Sequence, residues 1–537
     1  MRNSKKATRK KAAKTRARPC AWPSSHMPRL TFLVVSVLGK SGTIDDGEYP
    51  PPLFNARMLG DLVAQDTPNL IQGSITRALL TLAIPIVFAN LLQTAYQLTD
   101  TFWVGRLGAD AVAAVSLSFP VLFFLISLGI GLAVAGTILV AQNKGRGDLD
   151  AVNHVAAQAL MGVIALSLLL AAIGYFIAAP LVAFLGASAS VQPHATSYLQ
   201  VSFLGLPFMF AYVIFQSLMR GVGDVKTPLL IVAGTVLLNF GLDPLLILGY
   251  GPVPALGVSG AAAATLATQG LAAVIGLFML FSGRYGIQLA RLHMRPDLPM
   301  LWQLFRLGLP AAVEQATRAL GLMLMTILVA GFGTVALAAY GIGSRMLSFV
   351  IIPALGLSQA TSTVVGQNVG AGQLERAEHT TYLSGALALV SLTLVGVVSF
   401  FLAAPLVELF VPGEAAVIEE GARFVRITAL SYGLLGAQIV VTGAFRGSGN
   451  TLAAMAIALI SLWVLQFPIA WLLTERTQLG VAGVWISYPV QAFLSALVAW
   501  LWFKRGTWKQ KNLVGRTPAE TRVAQYPTDT VMDTNGG

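Results

Sequence analysis

From residue 75 to about 503 the chain is a succession of apolar runs, most of twenty residues or more, parted by short polar turns. As helix, at about 1.5 Å per residue, each run crosses a hydrocarbon core about 30 Å thick. Lipid offers no water to satisfy backbone N–H and C=O groups, so a spanning segment must pair them within itself or in a closed barrel. Runs this long select helices. Composition agrees: 55% of residues are hydrophobic and 11% charged, against about 25% charged in a soluble domain. The mean hydropathy is +0.73. The expected fold is an all-α integral membrane protein. Its twelve spans fall near 76–103, 111–141, 152–179, 195–219, 227–249, 257–281, 301–331, 335–367, 377–404, 420–445, 451–474 and 480–503.

The regions outside the spans are strongly basic. The net charge is +12, and residues 1–18 alone hold nine Lys and Arg. Without a folded soluble module beside it, such a run reads as a solvated tail near anionic lipid rather than a nucleic-acid site. Residues 1–74 lack sustained periodicity, carry Pro50-Pro51-Pro52, and are expected to form a disordered cytoplasmic extension. The apolar run 30–38 is too short to span, and its overlong charged flank argues against a cleaved signal peptide. Met1 and Met58 both remain candidate starts. The remaining divisions are a first lobe at 75–281, a cytoplasmic linker at 282–300, a second lobe at 301–503 and a cytoplasmic tail at 504–537.

The Lys/Arg bias sets the topology. Turns after even-numbered spans carry Lys144, Arg146, Arg220, Lys226, Arg284, Arg291, Arg295, Arg376 and Arg446, and the tail adds Lys504, Arg505, Lys509 and Lys511. The opposite turns hold Arg106, Arg423, Arg426 and Arg476 among the acids Glu408, Glu414, Glu419, Glu420 and Glu475. The positive-inside rule then puts both termini in the cytoplasm of a cell (inner) membrane protein.

The two halves repeat. Leu82-Ala83-Ile84-Pro85 matches Leu307-Gly308-Leu309-Pro310, and Gln142-Asn143 with Gly145 and Gly147 matches Gln367-Asn368 with Gly370 and Gly372. Ala178-Ala179-Pro180-Leu181-Val182 matches Ala403-Ala404-Pro405-Leu406-Val407 at the same offset of 225 residues. Arg220-Gly221-Val222-Gly223 matches Arg446-Gly447-Ser448-Gly449 one residue later. The repeats run parallel, which implies two pseudo-symmetric six-helix lobes about an axis along the membrane normal.

Within this apolar frame a few polar residues stand out. The fifth span, TPLLIVAGTVLLNFGLDPLLILG, carries Asn239 and Asp243, which share one helix face at i, i+4. Pro244 follows and favours a bend there. A carboxylate inside a membrane helix is a functional hypothesis by default. The first span presents a stripe of Asn90, Gln93, Gln97 and Asp100, which must face protein or water. Counted from the inner ends, Asp100 lies about 33 Å up and Asp243 about 24 Å up, both past the middle. Two carboxylates meeting in low dielectric hold at least one proton between them, which is what proton coupling requires. Asp243 is the expected principal coupling acid, Asp100 its partner and Asn239 their orienting group. A sodium ion would use the same oxygens. The competing reading leaves Asp100 solvated at a helix end beside Arg106.

These residues also carry a resemblance. Ala83-Ile84-Pro85 through Asp100-Thr101-Phe102-Trp103-Val104-Gly105-Arg106-Leu107-Gly108, the turn Met219-Arg220-Gly221-Val222-Gly223-Asp224, Asn239 with Asp243-Pro244, and Gly356-Leu357-Ser358-Gln359 through Gly366-Gln367-Asn368 resemble the multidrug and toxic compound extrusion family. The resemblance covers about 76–503. It implies secondary active export, with drug leaving as protons or sodium ions enter, and a cation-linked first lobe. It also implies a hydroxyl on the sixth span near the carboxylates, Thr265 in the first place, with Thr268 as the alternative.

The second lobe lacks the acid pair: position 325 is Met and position 469 is Ile. It carries instead Glu314 and Arg318 at i, i+4, with Arg345 on the next span. That pair either neutralises itself structurally or places Glu314 in the cavity to attract cationic substrate. Gln93, Gln97, Glu314 and Arg318 are therefore the substrate-cavity candidates. Met323, Met325 and Met346 read as ordinary packing. One cysteine excludes an internal disulfide, and the five histidines have no metal-ligand spacing. Gly39-Lys40-Ser41 lacks the first glycine of a phosphate loop, since position 34 is Val. No nucleophile–base set indicates an enzyme. The expected function is antiport of organic, often cationic, drugs against protons or sodium ions. The expected partners are small amphiphilic substrates and the bilayer, with no cofactor and no nucleic acid, in a monomer. The alternative is a flippase or exporter of lipid-linked or polysaccharide precursors.

Overall fold

The computed structural model describes residues 69–283, 286–510 and Leu513. The expectations for 1–68, for Arg284 and for most of the tail, Lys511 included, lie outside these residues. Within them the first lobe comprises α1 (Ile75–Gly105), α2 (Ala109–Arg146), α3 (Leu149–Phe184), α4 (Gln192–Val222), α5 (Lys226–Leu248) and α6 (Val258–Ser282). The second comprises α7 (Leu298–Ala330), α8 (Thr334–Gly370), α9 (Leu374–Phe401), the short α10 (Ala403–Glu408), α11 (Ala415–Ala429) and α12 (Tyr432–Gly447). It closes with α13 (Thr451–Leu459), α14 (Phe467–Glu475) and α15 (Val481–Lys504). Among the described residues, eleven helices are long and apolar enough to span a membrane, and α11 with α12, bent by 53°, makes a twelfth.

Two of the expected spans are not regular. The span at 420–445 is broken between α11 and α12 without a proline at the break. A Cβ on Gly396 of α9 would stand 2.4 Å from the Ala429 carbonyl oxygen, so α9 presses on the backbone where the helix turns. The Thr428 hydroxyl donates to Phe424 O at 2.9 Å, and that of Ser431 donates to Thr428 O at 2.7 Å. These side chains replace the partners that the bend takes away. The span at 451–474 carries a seven-residue π-helix, Ile460–Gln466, between α13 and α14. By contrast α5 runs unbroken through Pro244 to Leu248.

The repeat survives in three dimensions. Gly108 before α2 (φ 105°, ψ −179°) and Gly333 before α8 (φ 96°, ψ 177°) adopt the same conformation. So do Gly257 before α6 (φ 59°, ψ −133°) and Gly480 before α15 (φ 56°, ψ −134°). The last pair aligns α6 with α15 through Leu256-Gly257-Val258 and Leu479-Gly480-Val481. Thr265 therefore corresponds to Tyr488 and Thr268 to Gln491.

Among the described residues, the closest approaches between the lobes lie toward one end. Leu79, Leu82, Ala83 and Ile86 of α1 share an apolar core with Leu357, Ala360 and Val364 of α8. The Gln142 amide donates to Gly447 O at 3.0 Å, and its repeat counterpart Gln367 donates to Gly221 O at 3.0 Å. Gly147 and Gly372 close their helix ends with positive φ, as glycines at this position usually do. Gly145 and Gly370 serve a different purpose. A Cβ on Gly145 would stand 1.8 Å from Gln367 O, and one on Gly370 would stand 1.8 Å from Gln142 O. Further along, a Cβ on Gly131 of α2 would stand 2.5 Å from Gly308 O of α7. All these approaches use the second halves of α2 and α8 and the first halves of α1 and α7. On the remaining halves Gln97, Leu98, Phe102, Arg345 and Ser348 are exposed. Of these, Gln97, Arg345 and Ser348 are polar, and exposed polar groups within a span face water rather than lipid, so we read a cleft between the lobes on the side away from this seam.

The linker is fastened to α3 at the closed face. His154 pairs with Asp297 and His293 with Asp150, each at 3.0 Å. The Gln158 side chain donates to His293 O and Arg295 O and accepts from Asp297 N. Asp297 also caps α7, accepting from Met300 N at 3.2 Å. The His154 hydrogen bond, with the cap bond, holds the Asp297 carboxyl below its usual range.

Two outcomes follow from this packing. Gly145→Ala or Gly370→Ala must part the seam, and each should cost about 1–3 kcal/mol, read as a lower melting temperature in detergent; an unchanged melt would refute the contact. A depressed carboxyl stabilises the fold above the ordinary aspartate range and loses that contribution as pH falls through its lowered value. The stability advantage of the wild type over Asp297→Asn should therefore shrink below about pH 4, which melting across pH tests.

Candidate functional site

The polar stripe of α1, the buried face of α5 and the start of α6 converge. Asn239 and Asp243 are fully buried on α5, and the Asn239 amide donates to Asp243 Oδ1 at 2.8 Å. The i, i+4 spacing that put them on one face also brings them into contact. Asp100 on α1 stands within Coulombic reach of Asp243, though no hydrogen bond joins the two. Arg106 does not pair with Asp100. Its guanidinium lies over the Phe102 and Trp103 rings, 4.7 and 4.8 Å from their centroids. Asp100 is partly buried inside a helix that continues to Gly105.

Tyr96 completes the cluster. It is buried, and its hydroxyl is 2.8 Å from Thr268 Oγ1. Thr268 in turn donates to Ala264 O and Thr265 O. Of the two candidate hydroxyls on α6, Thr268 is the buried one, while Thr265 is partly exposed and lies beside the same tyrosine. Tyr96 was legible in principle, since it is three residues after Gln93 and four before Asp100, on the stripe itself. An aromatic in a membrane helix reads as packing, and the stripe was read from its amides and acid alone. Of the remaining stripe residues, Gln93 is partly exposed and Gln97 exposed, as cleft-lining groups would be.

Several buried polar atoms of this cluster have no protein partner: Asp243 Oδ2, Asn239 Oδ1, Asp100 Oδ1 and Asn90 Nδ2. A buried polar group left unpaired is costly, so it points to a proton, ion or ligand that completes it. Three of the four are oxygens, the ligand type that protons and hard monovalent cations share. Among the described residues no cluster of three or more His, Cys, Asp or Glu is placed to hold a metal ion.

The second lobe uses the equivalent space differently. Glu314 is fully buried on α7. Its Oε1 accepts from Arg318 Nη2 at 3.1 Å and lies 3.6 Å from Arg446 Nη1. Arg446 also donates to Ser358 Oγ at 3.0 Å, and Ser358 donates to Ile439 O at 2.7 Å. Glu314 is therefore held between two guanidiniums. The contact links α7 to α12 and matches the self-neutralising one of the two readings of the Glu314–Arg318 pair. Arg446 escaped the sequence reading because it served there as a topology marker. Its first-lobe counterpart Arg220 donates to Ser217 Oγ at 2.7 Å. At the α15 positions matching Thr265 and Thr268, Tyr488 donates to the Tyr340 hydroxyl at 3.2 Å. Gln491 donates to Ser461 and Ser495. The second lobe is polar there but carries no acid.

Known proteins share this arrangement. A family model described as MatE matches residues 85–245 and 310–472, once in each lobe. The probable multidrug resistance protein YoeA of Bacillus subtilis is 30% identical over 451 residues, 83% of this chain and 97% of that protein. The probable multidrug resistance protein NorM of Thermotoga maritima is 28% identical, covering 82% of this chain and 95% of its own. A crystal structure of MATE in complex with MaL6 superposes with a TM-score of 0.78 at 25% identity, over 82% of this chain and 99% of the other. The duplicated match falls on the two lobes that the helices and turn glycines define, and the chain belongs to the MatE family of multidrug and toxic compound extrusion transporters.

Proposed function

We propose that this transporter is an antiporter that exports organic, often cationic, amphiphiles in exchange for protons or sodium ions, with its coupling site at Asp243, Asp100 and Asn239. The observation that carries the reading is the buried Asn239–Asp243 pair, with unpartnered oxygens, beside a second carboxylate. Such a site holds its cargo electrostatically in low dielectric and releases it when its neighbours change. A proton or sodium ion bound there neutralises the charge that would otherwise hold a cationic drug, so the two occupants compete. Competition at one site, reached from alternate sides, is sufficient for exchange.

The basic turns bearing Lys144, Arg146, Arg376 and Arg446 lie at the closed face, which the positive-inside rule assigns to the cytoplasm. Both termini are then cytoplasmic and the cleft opens outward. The coupling ion enters from outside, and rocking of the lobes about the seam exposes the site to the inside. The driving force is about 1.4 kcal/mol per tenfold gradient, plus about 2.3 kcal/mol per charge for each 100 mV. A flippase for lipid-linked precursors would call for a wall of several basic groups to hold a pyrophosphate. Here only Arg318 and Arg345 are candidates for such a wall, which makes that alternative the weaker.

In proteoliposomes under imposed proton or sodium gradients, the gradient that alone drives flux identifies the coupling ion. Asp243→Asn should abolish gradient-driven export while folded protein remains in the membrane, and normal export by that variant would refute the assignment. Asp100→Asn should slow export and weaken its dependence on the gradient; unchanged flux would return Asp100 to a purely local role.

A further inference from the structure

Arg318 is a charged group that the proposed coupling site does not use. At the repeat offset it corresponds to Gln93. Each stands twelve residues before the end of its helix, α7 at Ala330 and α1 at Gly105, a rise of about 18 Å. The pseudo-symmetry therefore sets Arg318 on the second-lobe wall of the cleft at the depth of Gln93 on the first. Its side chain is 29% exposed, which suits a group that reaches a cleft without being immersed in it.

A guanidinium has five N–H donors in a rigid fork. Arg318 uses one nitrogen, Nη2, on Glu314. Its Nε is buried and has no partner. Glu314 is shared with Arg446, so two cations meet one carboxylate and the cluster keeps a net positive charge. The equivalent Arg220 of the first lobe has no such acid, since the position matching Glu314 is Ala89. The second lobe instead holds an arginine at the cleft wall and fixes its orientation with a buried carboxylate. The opposite wall carries Asp100, with Asp243 behind it. One wall is acidic and the other basic.

We propose that Arg318 is a recognition residue for an anionic group, a carboxylate above all, on the exported compound, so that the cleft prefers zwitterionic amphiphiles. The cargo's ammonium turns to the first-lobe acids and its carboxylate to the idle face of the Arg318 fork. A planar carboxylate matches that fork, and charge-assisted bonds of this kind are the strong ones. Glu314 acts as a positioning residue. The inference rests on the reading of the cleft as the cargo site.

The test uses the full chain in proteoliposomes and two probes with one aromatic amine scaffold, a free carboxylic acid and its methyl ester. Binding is measured by equilibrium dialysis and export by gradient-driven flux. The wild type should bind the acid more tightly than the ester. Arg318→Gln should weaken binding of the acid by about tenfold to a hundredfold and leave the ester unchanged, and Arg318→Lys should recover part of the difference. Glu314→Gln combined with Arg318→Gln removes both charges together, so it avoids an unpaired buried acid and should show the same loss of selectivity. Equal loss of both probes in folded variants, an unchanged acid-to-ester ratio, or a wild type indifferent to the acid would each overturn the proposal. Arg318-dependent binding of the acid without gradient-driven flux of either probe would support the subsite and sink the export reading instead.

Discussion

Two reciprocal hydrogen bonds hold the lobes in the arrangement on which everything else depends. Gln142 reaches from α2 to the Gly447 carbonyl, and Gln367 reaches from α8 to that of Gly221. Neither bond is strong alone, since a net contribution near 1 kcal/mol is ordinary. Their effect comes from where they stand. The helices approach backbone to backbone through Gly145 and Gly370, too closely for any side chain. Beside that approach each glutamine amide reaches past the facing helix to a carbonyl at the end of α12 or α4 and satisfies it across the seam. The seam is self-complementary because the repeat is. One sequence solution, duplicated, meets itself across the pseudo-axis. Because the seam occupies one end, the other end is free to open, and the cleft follows from the same constraint.

The scaffold is symmetric and the chemistry is not. The α2 and α8 caps, the latch glutamines and the arginines at the ends of α4 and α12 all have counterparts. The carboxylates do not. Asp100 faces a counterpart Met325, and Glu314 a counterpart Ala89. The first lobe concentrates its unpartnered oxygens at Asp100, Asn239 and Asp243. The second binds its one cleft-side acid between guanidiniums. Symmetric packing is what lets two lobes rock as similar bodies, while asymmetric charge lets each wall interact with a different ion or group. Had both lobes kept the acid pair, a cation leaving one wall would meet the same well on the other.

Much of this was legible in the sequence, for reasons that can be named. Apolar runs of span length leave a chain few alternatives, so the helices followed directly. The i, i+4 spacing fixed the Asn239–Asp243 contact, because helix geometry alone decides it. The unread parts depend on contacts between distant segments. Nothing local marks the bend after Ala429; it arises where Gly396 of α9 lets one backbone press on another. Nothing local announces the π-helix at Ile460–Gln466. Gly145 and Gly370 read as helix-end residues because their neighbours Gly147 and Gly372 do close the helices, and only the facing lobe shows their separate purpose. Arg446 counts as a topology marker in one dimension and as a partner of Glu314 and Ser358 in three.

The placement of the coupling acids relative to the seam bears on how exchange avoids a leak. Asp100 is on the half of α1 that diverges from the second lobe, while Leu79 to Ile86 of the same helix are locked against α8. One continuous helix thus carries both the closed contact and the open site, and movement of the first half cannot leave the second unaffected. The Asn239 amide stays on Asp243 through an intrahelical bond that lobe rocking does not break. What the proposed rocking would change is the company of the buried, unpartnered oxygens. An ion bound there loses or gains water as the lobes part or meet. In the low dielectric of the closed state a bare carboxylate pair is the costly alternative. On the proposed reading, the lobes therefore interconvert most readily when a proton, a cation or a cationic drug occupies the site, which is the condition that obligatory exchange imposes.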